Sequence, residues 1–268
     1  MDLEQKETAL RSFIRDCEST VVAYSGGVDS ALVLTVAHQE LGEKVIGVTA
    51  HSPSVPLRER EAADAFAKQI GVRHQVIETG EVNLPEYRQN PANRCFFCKT
   101  ELYSHLIRFA KEEGFTTLLN GTNCDDLGDH RPGLNAAENF HVKSPLVEAG
   151  MTKQDVRALS KKMRLPLWEK PASPCLASRI PYGQEVNEEK LLMVEQAEDY
   201  LLSLGYRELR VRHFGNTARI ELPVGEIKTL REGSHWQETK ERFTEIGFHE
   251  IEVDEEGFRS GKLNASLT

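Results

Sequence analysis

The feature that most restricts how this chain can fold is the run from Val21 to Ala37. Val21, Val22 and Ala23 read as a short buried strand, Tyr24-Ser25-Gly26-Gly27-Val28-Asp29-Ser30 as a small-residue turn, and Leu32, Val33, Leu34, Val36 and Ala37 as a helix. A strand that passes through a glycine turn into a helix leaves the first backbone N–H groups of that helix unpaired. It also places the positive end of the helix dipole at the turn. Such a turn attracts a phosphate. Gly26 and Gly27 let the backbone close on an anion, Ser25 and Ser30 add hydroxyl donors, and Asp29 is placed to orient Mg²⁺.

Spacing excludes two common phosphate turns. No Lys-Ser or Lys-Thr pair closes the turn as in a Walker loop, and the three spaced glycines of the dinucleotide fingerprint are absent. The string resembles instead the PP-loop, Ser-Gly-Gly-x-Asp-Ser, of the ATP pyrophosphatases. That resemblance implies a loop holding the pyrophosphate of ATP while a carbonyl or carboxylate oxygen of the substrate attacks the α-phosphorus. The products are an adenylated substrate and pyrophosphate. An ordinary strand-to-helix turn is the plain alternative.

Around this turn the chain alternates. Residues 3–17 read as a first helix, Lys44 to Ala50 as a second strand, 57–70 as a helix stopping at Gly71, and Arg73 to Ile77 as a third strand. A helix over 99–113 and a strand over 117–120 follow. This alternation implies right-handed crossovers and a parallel sheet, with ligands beyond the carboxyl ends of the strands. Ala50, His51 and Ser52 are therefore expected beside the nucleotide, with a plain surface turn as the alternative for His51 and Ser52, and the loop 121–133 with Asp125, Asp126, Asp129 and Arg131 reads either as a Mg²⁺ and substrate-gating loop there or as a solvated acidic loop. Thr152-x-x-Asp155 has the form of a capping box opening another helix.

From about Pro181 the pattern changes. A helix from Asn187 to Leu204 precedes two alternating strands, 209–214 and 218–222, joined by Gly215-Asn216. Helices near 224–231 and 235–246 and a strand from His249 to Val253 complete the chain. The expected fold class is α/β: a parallel-sheet domain of the PP-loop ATP pyrophosphatase, adenine nucleotide α-hydrolase-like, kind over 1–180. A smaller α+β domain for substrate binding or oligomerisation is expected over 181–268.

Composition narrows the partners. A net charge of −9 on 268 residues disfavours an extended nucleic-acid surface. No run reaches transmembrane length, and the first residues (Met1, Asp2, Glu4, Glu7) are acidic where a signal peptide is basic, so a cytoplasmic protein without membrane contact is expected. Five cysteines, an odd number, argue against a disulfide framework. Cys17 and Cys124 stand alone, Cys95 and Cys98 form a C-x-x-C, and Cys175 lies in a Pro/Ser-rich loop. No second C-x-x-C or His pair offers zinc a fourth ligand. Three thiolates from Cys95, Cys98 and Cys175 can hold a [4Fe–4S] cluster with one iron open, and Arg94, Lys99 and Arg179 would help keep them ionised. Three unconnected cysteines are the other possibility.

Several further strings join the PP-loop: Asp129-x-Arg131-Pro132-Gly133, Ala172-Ser173 through Ser178-Arg179-x-Pro181-Tyr182-Gly183, Leu209-Arg210-Val211-Arg212 with Ala218-Arg219-Ile220-Glu221-Leu222-Pro223, and Gly257-Phe258-Arg259-Ser260-Gly261-Lys262-Leu263-Asn264. Together they resemble the LarE family, ATP-dependent sulfur transferases that build the nickel-pincer nucleotide cofactor of lactate racemase. The resemblance covers nearly the whole chain. It implies MgATP-dependent adenylation of a carboxylate of pyridinium-3,5-biscarboxylic acid mononucleotide, then displacement of AMP by sulfur to leave a thiocarboxylate. One branch of the family takes that sulfur from a single loop cysteine and acts once. The other carries three cysteines and a cluster, and the present set implies the second branch, with sulfide or another sulfur donor as partner and a homo-oligomer built from trimers.

The resemblance also distributes roles among the residues. Ser25, Gly26, Gly27, Asp29, Ser30, Ala50 and Arg131 fall to the nucleotide, Asp29, Lys99 and Cys175 to catalysis, and Cys95, Cys98 and Cys175 to the cluster. Ser178, Arg179, Glu198, Arg210, Arg212 and Glu221 fall to the substrate. Arg210 and Arg212 alternate on one strand and share a face, and Arg219 either joins or opposes them. Competing readings are a single-use donor acting through Cys175, an amide-forming enzyme using ammonia, a tRNA-thiolating enzyme, and a nucleotide sensor with a structural zinc.

Overall fold

The computed structural model of the protein describes residues 1–128 and 132–259. In chain order its helices and strands are α1 (Leu3–Arg15), β1 (Thr20–Ala23), α2 (Val28–Leu41), β2 (Val45–His51), α3 (Leu57–Ile70), β3 (Arg73–Glu78), α4 (Pro85–Arg88), α5 (Arg94–Glu113), β4 (Thr117–Leu119), α6 (Gly133–Asn139), α7 (Pro145–Glu148), α8 (Lys153–Lys162), α9 (Glu188–Ser203), β5 (Arg210–Phe214), β6 (Thr217–Glu221), α10 (Val224–Glu232), α11 (Trp236–Ile246) and β7 (Glu250–Val253). Contacts divide them into two units, one of residues 1–81 and 93–173, the other of residues 82–92 and 174–268.

The first unit is the expected α/β layer structure. Its four strands are all parallel in the order β3-β2-β1-β4, with Val21 opposite Ile46 on one side and Leu118 on the other. Alternation along β1 sends Val22 to one face and Val21 to the other. Val22 joins a core with Leu10 and Ile14 of α1, Leu32 and Val36 of α2, Phe66 of α3 and Leu159 of α8. Val21 joins Tyr103, Leu106 and Ala136 from α5 and α6. The chain proceeds from β1 outward to β3, then returns to the far side of β1 with β4. That reversal makes the carboxyl ends of β1 and β4 the switch point at which open α/β sheets bind ligands.

The second unit has a three-stranded sheet in the order β5-β6-β7, antiparallel between β5 and β6 and parallel between β6 and β7. One face is apolar: Val211, Ala218, Ile220 and Val253 pack with Ala197 and Leu201 of α9 and Phe243 of α11. The other face carries Arg210, Arg212, Arg219 and Glu221 by the same alternation.

One boundary differs from the sequence expectation. α5 begins at Arg94 rather than at residue 99, so Cys95 and Cys98 stand on its first turns instead of in a preceding loop. Pro91 and Asn93 interrupt the helical pattern, and Asn93 is the N-cap residue although its side chain makes no capping bond. The capping box at Thr152 and Asp155 is formed as read, with Asp155 Oδ2 also 2.6 Å from Lys6 Nζ of α1.

Burial works against ionisation of Asp155, but the Lys6 ammonium and the Thr152 hydroxyl and N–H outweigh it and hold the carboxyl down to about 2. Since the folded-state pKa is depressed from 3.8, this contribution to stability is full above about pH 4 and is lost as pH falls toward 2. Asp155→Asn is expected to cost on the order of 2 kcal/mol at neutral pH and to flatten the acid limb of stability between about pH 4 and 2, measured by urea denaturation across pH.

Candidate active site

At the end of β1 the backbone is pinned before it turns: Tyr24 N–H donates to Val48 O at 2.9 Å, and Thr49 Oγ1 donates to Tyr24 O at 2.8 Å. Gly26 has φ +72°, a conformation that side chains rarely adopt, and a Cβ there would lie 3.1 Å from Ala63 Cβ of α3. Gly27 is the N-cap of α2 and has no side chain with which to cap it. The hydroxyls knit the turn from inside, Ser30 Oγ accepting from Ser25 N–H at 3.2 Å, donating to Gly27 O at 3.1 Å and lying 3.1 Å from Ser25 Oγ. A strand end, an uncapped helix start and two hydroxyls thus converge, which is the geometry of a phosphate cradle.

The loop after β4 closes over this helix start. A Cβ on Gly121 would come within 2.6 Å of Ser30 N and 2.8 Å of Ser30 Cα, so only glycine fits. Two residues on, Asn123 Nδ2 donates to Asp29 Oδ1 at 3.2 Å, and Lys153 Nζ donates to Asp29 Oδ2. Lys153 N–H is fixed by Asp125 Oδ2 at 2.9 Å. From further along the unit, Lys170 Nζ donates to Gly26 O at 3.1 Å and pairs with Glu59 at 2.7 Å.

Ala50, Ser25, Gly26, Gly27, Asp29 and Ser30 all lie at the carboxyl end of the central strands, as read from the sequence. His51 and Ser52 face other partners: His51 Nδ1 is 2.6 Å from Glu78, and the Ser52 hydroxyl donates to the buried Glu81 together with that of Ser54. Arg131 and Asp129 lie outside the described residues. Lys99 is on α5, its Nζ 5.9 Å from the Tyr103 ring centroid, and Gly133 packs against it. Sequence reasoning placed the loop 121–133 here without singling out Gly121 or Asn123, and it missed Lys153 and Lys170. The one available signal was that Tyr24–Ser30 contains no cation, so positive charge for a polyphosphate has to be imported.

The cysteines divide between the units. Cys95 is exposed and Cys98 half-buried, spaced three residues apart on α5 and so on one face of it, while Cys175, also half-buried, precedes a short 3₁₀ turn in the second unit. Among the described residues no group of three or more His, Cys, Asp or Glu side chains is gathered that could hold a metal ion.

In the second unit the predicted substrate residues do come together. Arg179 is 1% exposed and grips Glu198 through both carboxylate oxygens, Nε to Oε1 at 2.8 Å and Nη2 to Oε2 at 3.0 Å. Its Nη1 donates to Pro174 O at 2.7 Å and to Ser178 Oγ at 3.0 Å. Arg212 donates to Ser178 O at 2.8 Å and to Glu221 Oε2 at 2.9 Å. Arg210 lies 5.1 Å over the Phe258 ring. Burial first, then Arg179 and Arg212, with Glu198 and Glu221 opposing, hold its guanidinium down to about 10. Arg219 leaves the set and pairs with Glu252 at 2.5 Å.

A parallel sheet with Ser-Gly-Gly-Val-Asp-Ser at its switch point is the nucleotide unit of a PP-loop ATP pyrophosphatase, and residues 3–93 match the NAD synthase family model. Over 99% of its length the chain is 34% identical to pyridinium-3,5-bisthiocarboxylic acid mononucleotide synthase of Lactiplantibacillus plantarum, covering 96% of that protein. It is 45% identical, over 99% of both chains, to uncharacterized protein slr1717 of Synechocystis sp.. A more partial likeness, 26% identity over 66% of the chain and 38% of the relative, is to the glutamine-hydrolyzing GMP synthase of Aeropyrum pernix. The chain belongs to the LarE family, that of the pyridinium-3,5-bisthiocarboxylic acid mononucleotide synthases.

Two outcomes follow from this geometry. Gly121→Ala forces backbone against backbone at Ser30 and is expected to destabilise the protein by about 1–3 kcal/mol in urea denaturation. Glu198→Gln leaves a buried guanidinium without its counter-charge and is expected to cost about 3–5 kcal/mol by the same measurement, whereas the double change Arg179→Met with Glu198→Leu costs less.

Proposed function

We propose that the protein is an ATP-dependent sulfur transferase acting on pyridinium-3,5-biscarboxylic acid mononucleotide in the cytoplasm, in the making of the nickel-pincer nucleotide cofactor. The observation that carries this reading is the full-length likeness to a synthase whose name gives the bisthiocarboxylic product. The PP-loop supports the activation step. A substrate carboxylate oxygen attacks the α-phosphorus of ATP, the bond to the β-phosphate oxygen breaks, and an acyl adenylate forms as pyrophosphate leaves. Ser25 and Ser30 hydroxyls and the open N–H groups at the start of α2 hold that leaving group.

Mg²⁺ fits Asp29, a part-exposed carboxylate whose oxygens suit a hard cation and whose Lys153 contact is exchangeable. When bound, the ion neutralises charge on the phosphates. In the second step a sulfur nucleophile adds to the acyl carbon, and AMP departs with the electrons of the broken carbon–oxygen bond. Arg210 and Arg212, with Ser178, Arg179, Glu198 and Glu221 around them, hold the phosphate and remaining carboxylate of the substrate.

For the sulfur source we read Cys95, Cys98 and Cys175 as ligands of a [4Fe–4S] cluster, supported by the shared helix face of the first two and by the absence of any other C-x-x-C. The activation step draws on none of these thiolates. Lys99, one residue beyond Cys98, is the cation assigned to this sulfur step. The match of residues 3–93 to the NAD synthase model favours one competitor, amide formation with ammonia as nucleophile.

Anaerobically reconstituted protein with MgATP, the biscarboxylic mononucleotide and sulfide is expected to release pyrophosphate and yield product heavier by the exchange of oxygen for sulfur. Arg210→Ala and Arg212→Ala should raise KM for the mononucleotide roughly 10- to 100-fold with KM for ATP unchanged. Loss of one sulfur mass from Cys175 during turnover would assign the single-use route, and pyrophosphate release supported by ammonia alone would overturn sulfur transfer altogether.

A further inference from the structure

β3 is the edge strand of the first sheet, yet the side chain of its second residue, His74, is only 6% exposed. Alternation along β3 turns His74 toward α3, where its Nδ1 lies 3.4 Å from Asp64 Oδ1, while its Nε2 lies 2.9 Å from Thr49 Oγ1 of β2. Its ring stands edge-on to that of Tyr24, with centroids 5.9 Å apart. No step of the proposed reaction uses this histidine.

Counting protons fixes which groups donate. Thr49 has one hydroxyl proton, and it goes to Tyr24 O at 2.8 Å, an atom that can only accept. Toward His74 the same hydroxyl can therefore only accept, so Nε2 carries a proton. Asp64 faces Nδ1 as a carboxylate, because the Lys68 ammonium, 2.6 Å away, outweighs burial and together with His74 holds its carboxyl below the usual range. A bare nitrogen lone pair against that oxygen would be repelled. Nδ1 therefore carries a proton as well, and the ring is the imidazolium. Among the described residues the charged or titratable groups set against it are Asp64 of α3, with Lys68 behind it, and the Tyr24 phenol at the end of β1, which burial keeps neutral.

The peptide that Thr49 anchors is the first of the PP-loop. Its oxygen, Tyr24 O, takes the Thr49 hydroxyl, and its nitrogen, Ser25 N, donates to Ser30 Oγ at 3.2 Å, so the two bonds together set the plane of that peptide. We infer that His74 is a proton-sensitive positioning residue: charged, it leaves the Thr49 hydroxyl on Tyr24 O and the cradle set; neutral, it draws that hydroxyl away and slackens the cradle. When one proton passes from the ring to water, the Asp64 carboxylate keeps the remaining proton on Nδ1. Nε2 then becomes an acceptor, the Thr49 hydroxyl rotates onto it, and Tyr24 O loses this donor. Rising pH therefore weakens the anchor, and falling pH restores it. What the anchor does for ATP rests on the reading above; the proton switch itself does not.

The test begins with full-length wild-type protein free of metal and nucleotide. Nitrogen NMR of the His74 ring across pH is expected to show the imidazolium and then a neutral ring protonated on Nδ1. Over the same interval the Ser25 amide, corrected for the intrinsic pH dependence of exchange, should exchange its hydrogen roughly 2- to 10-fold faster once the ring is neutral. Calorimetric titration with MgATP should weaken roughly 2- to 10-fold through that interval in wild type. His74→Gln, whose amide donates to Thr49 at any pH, should lose the step, and Thr49→Val should bind weakly throughout. Circular dichroism melts check that each variant is folded. A neutral ring protonated on Nε2, a ring whose charge never changes over the pH range in which the protein stays folded, unchanged Ser25 exchange, or the same affinity step in His74→Gln overturns the inference. If wild type binds no MgATP at any pH, the ATP reading fails, and the ring and amide measurements still decide the switch.

Discussion

The nucleotide end of the first unit depends on one close passage of backbone over backbone, the β4 loop crossing the first turn of α2 at Gly121. A methyl group there would sit 2.6 Å from a peptide nitrogen, far inside contact distance, so the crossing exists only because residue 121 has no side chain. The crossing brings Asn123 to Asp29 and sets Asp125 against the N–H of Lys153. Strand order supplies the reason it happens at this point: β4 returns beside β1, and the loops leaving two adjacent parallel strands at the same edge must share the space above them.

Charge is handled in opposite ways by the two units. Around the PP-loop the cations among the described residues are lysines, point charges on flexible stems, and one of them, Lys153, is part-exposed where it pairs with Asp29. In the second unit the cations are arginines, and Arg179 is locked by a two-point grip on Glu198 and by carbonyl and hydroxyl acceptors. A planar fork fixed at that many points does not move, so it orients neighbours. Arg210, pressed by burial and by the two nearby guanidiniums, is on the proposed reading the member of the set whose charge an incoming anion would stabilise most directly.

Much of this was legible in the residues. Strand, glycine turn and apolar helix around Ser25 to Ser30 gave away the phosphate cradle, and regular apolar spacing placed α3, α9 and the β5–β6 hairpin within a residue or two. The start of α5 was not legible, because Pro91 and the polar stretch before it look like loop and Asn93 offers a helix start without a side-chain cap. Nor was the Lys153 contact, since Asp29 lies 124 positions away and no local spacing records so distant a partner. The Arg179–Glu198 grip lies between those cases. Family likeness named the residues, but their two-point geometry depends on the turn at Leu176–Arg179 meeting α9, which no periodicity encodes.

The pattern of likeness separates generic chemistry from particular chemistry. The NAD synthase model matches residues 3–93, which hold β1 to β3 and the PP-loop, whereas the mononucleotide synthase of Lactiplantibacillus plantarum matches along the whole chain. Adenylation needs only an acid and ATP held in line, and a strand-turn-helix cradle provides the ATP half for any acid. In the function proposed above, choice of acid falls to groups that the shared segment lacks. The arginine and glutamate set lies between residues 179 and 221, entirely outside that segment, and its members are held by buried contacts rather than by solvent-screened ones. Re-aiming it would require moving β5 against α9, through a core that includes Ala197, Leu201 and Val211. On the function proposed above, selectivity for a substrate with several anionic groups would be built into packing, and a change of acceptor would not be reached by exchanging one surface residue.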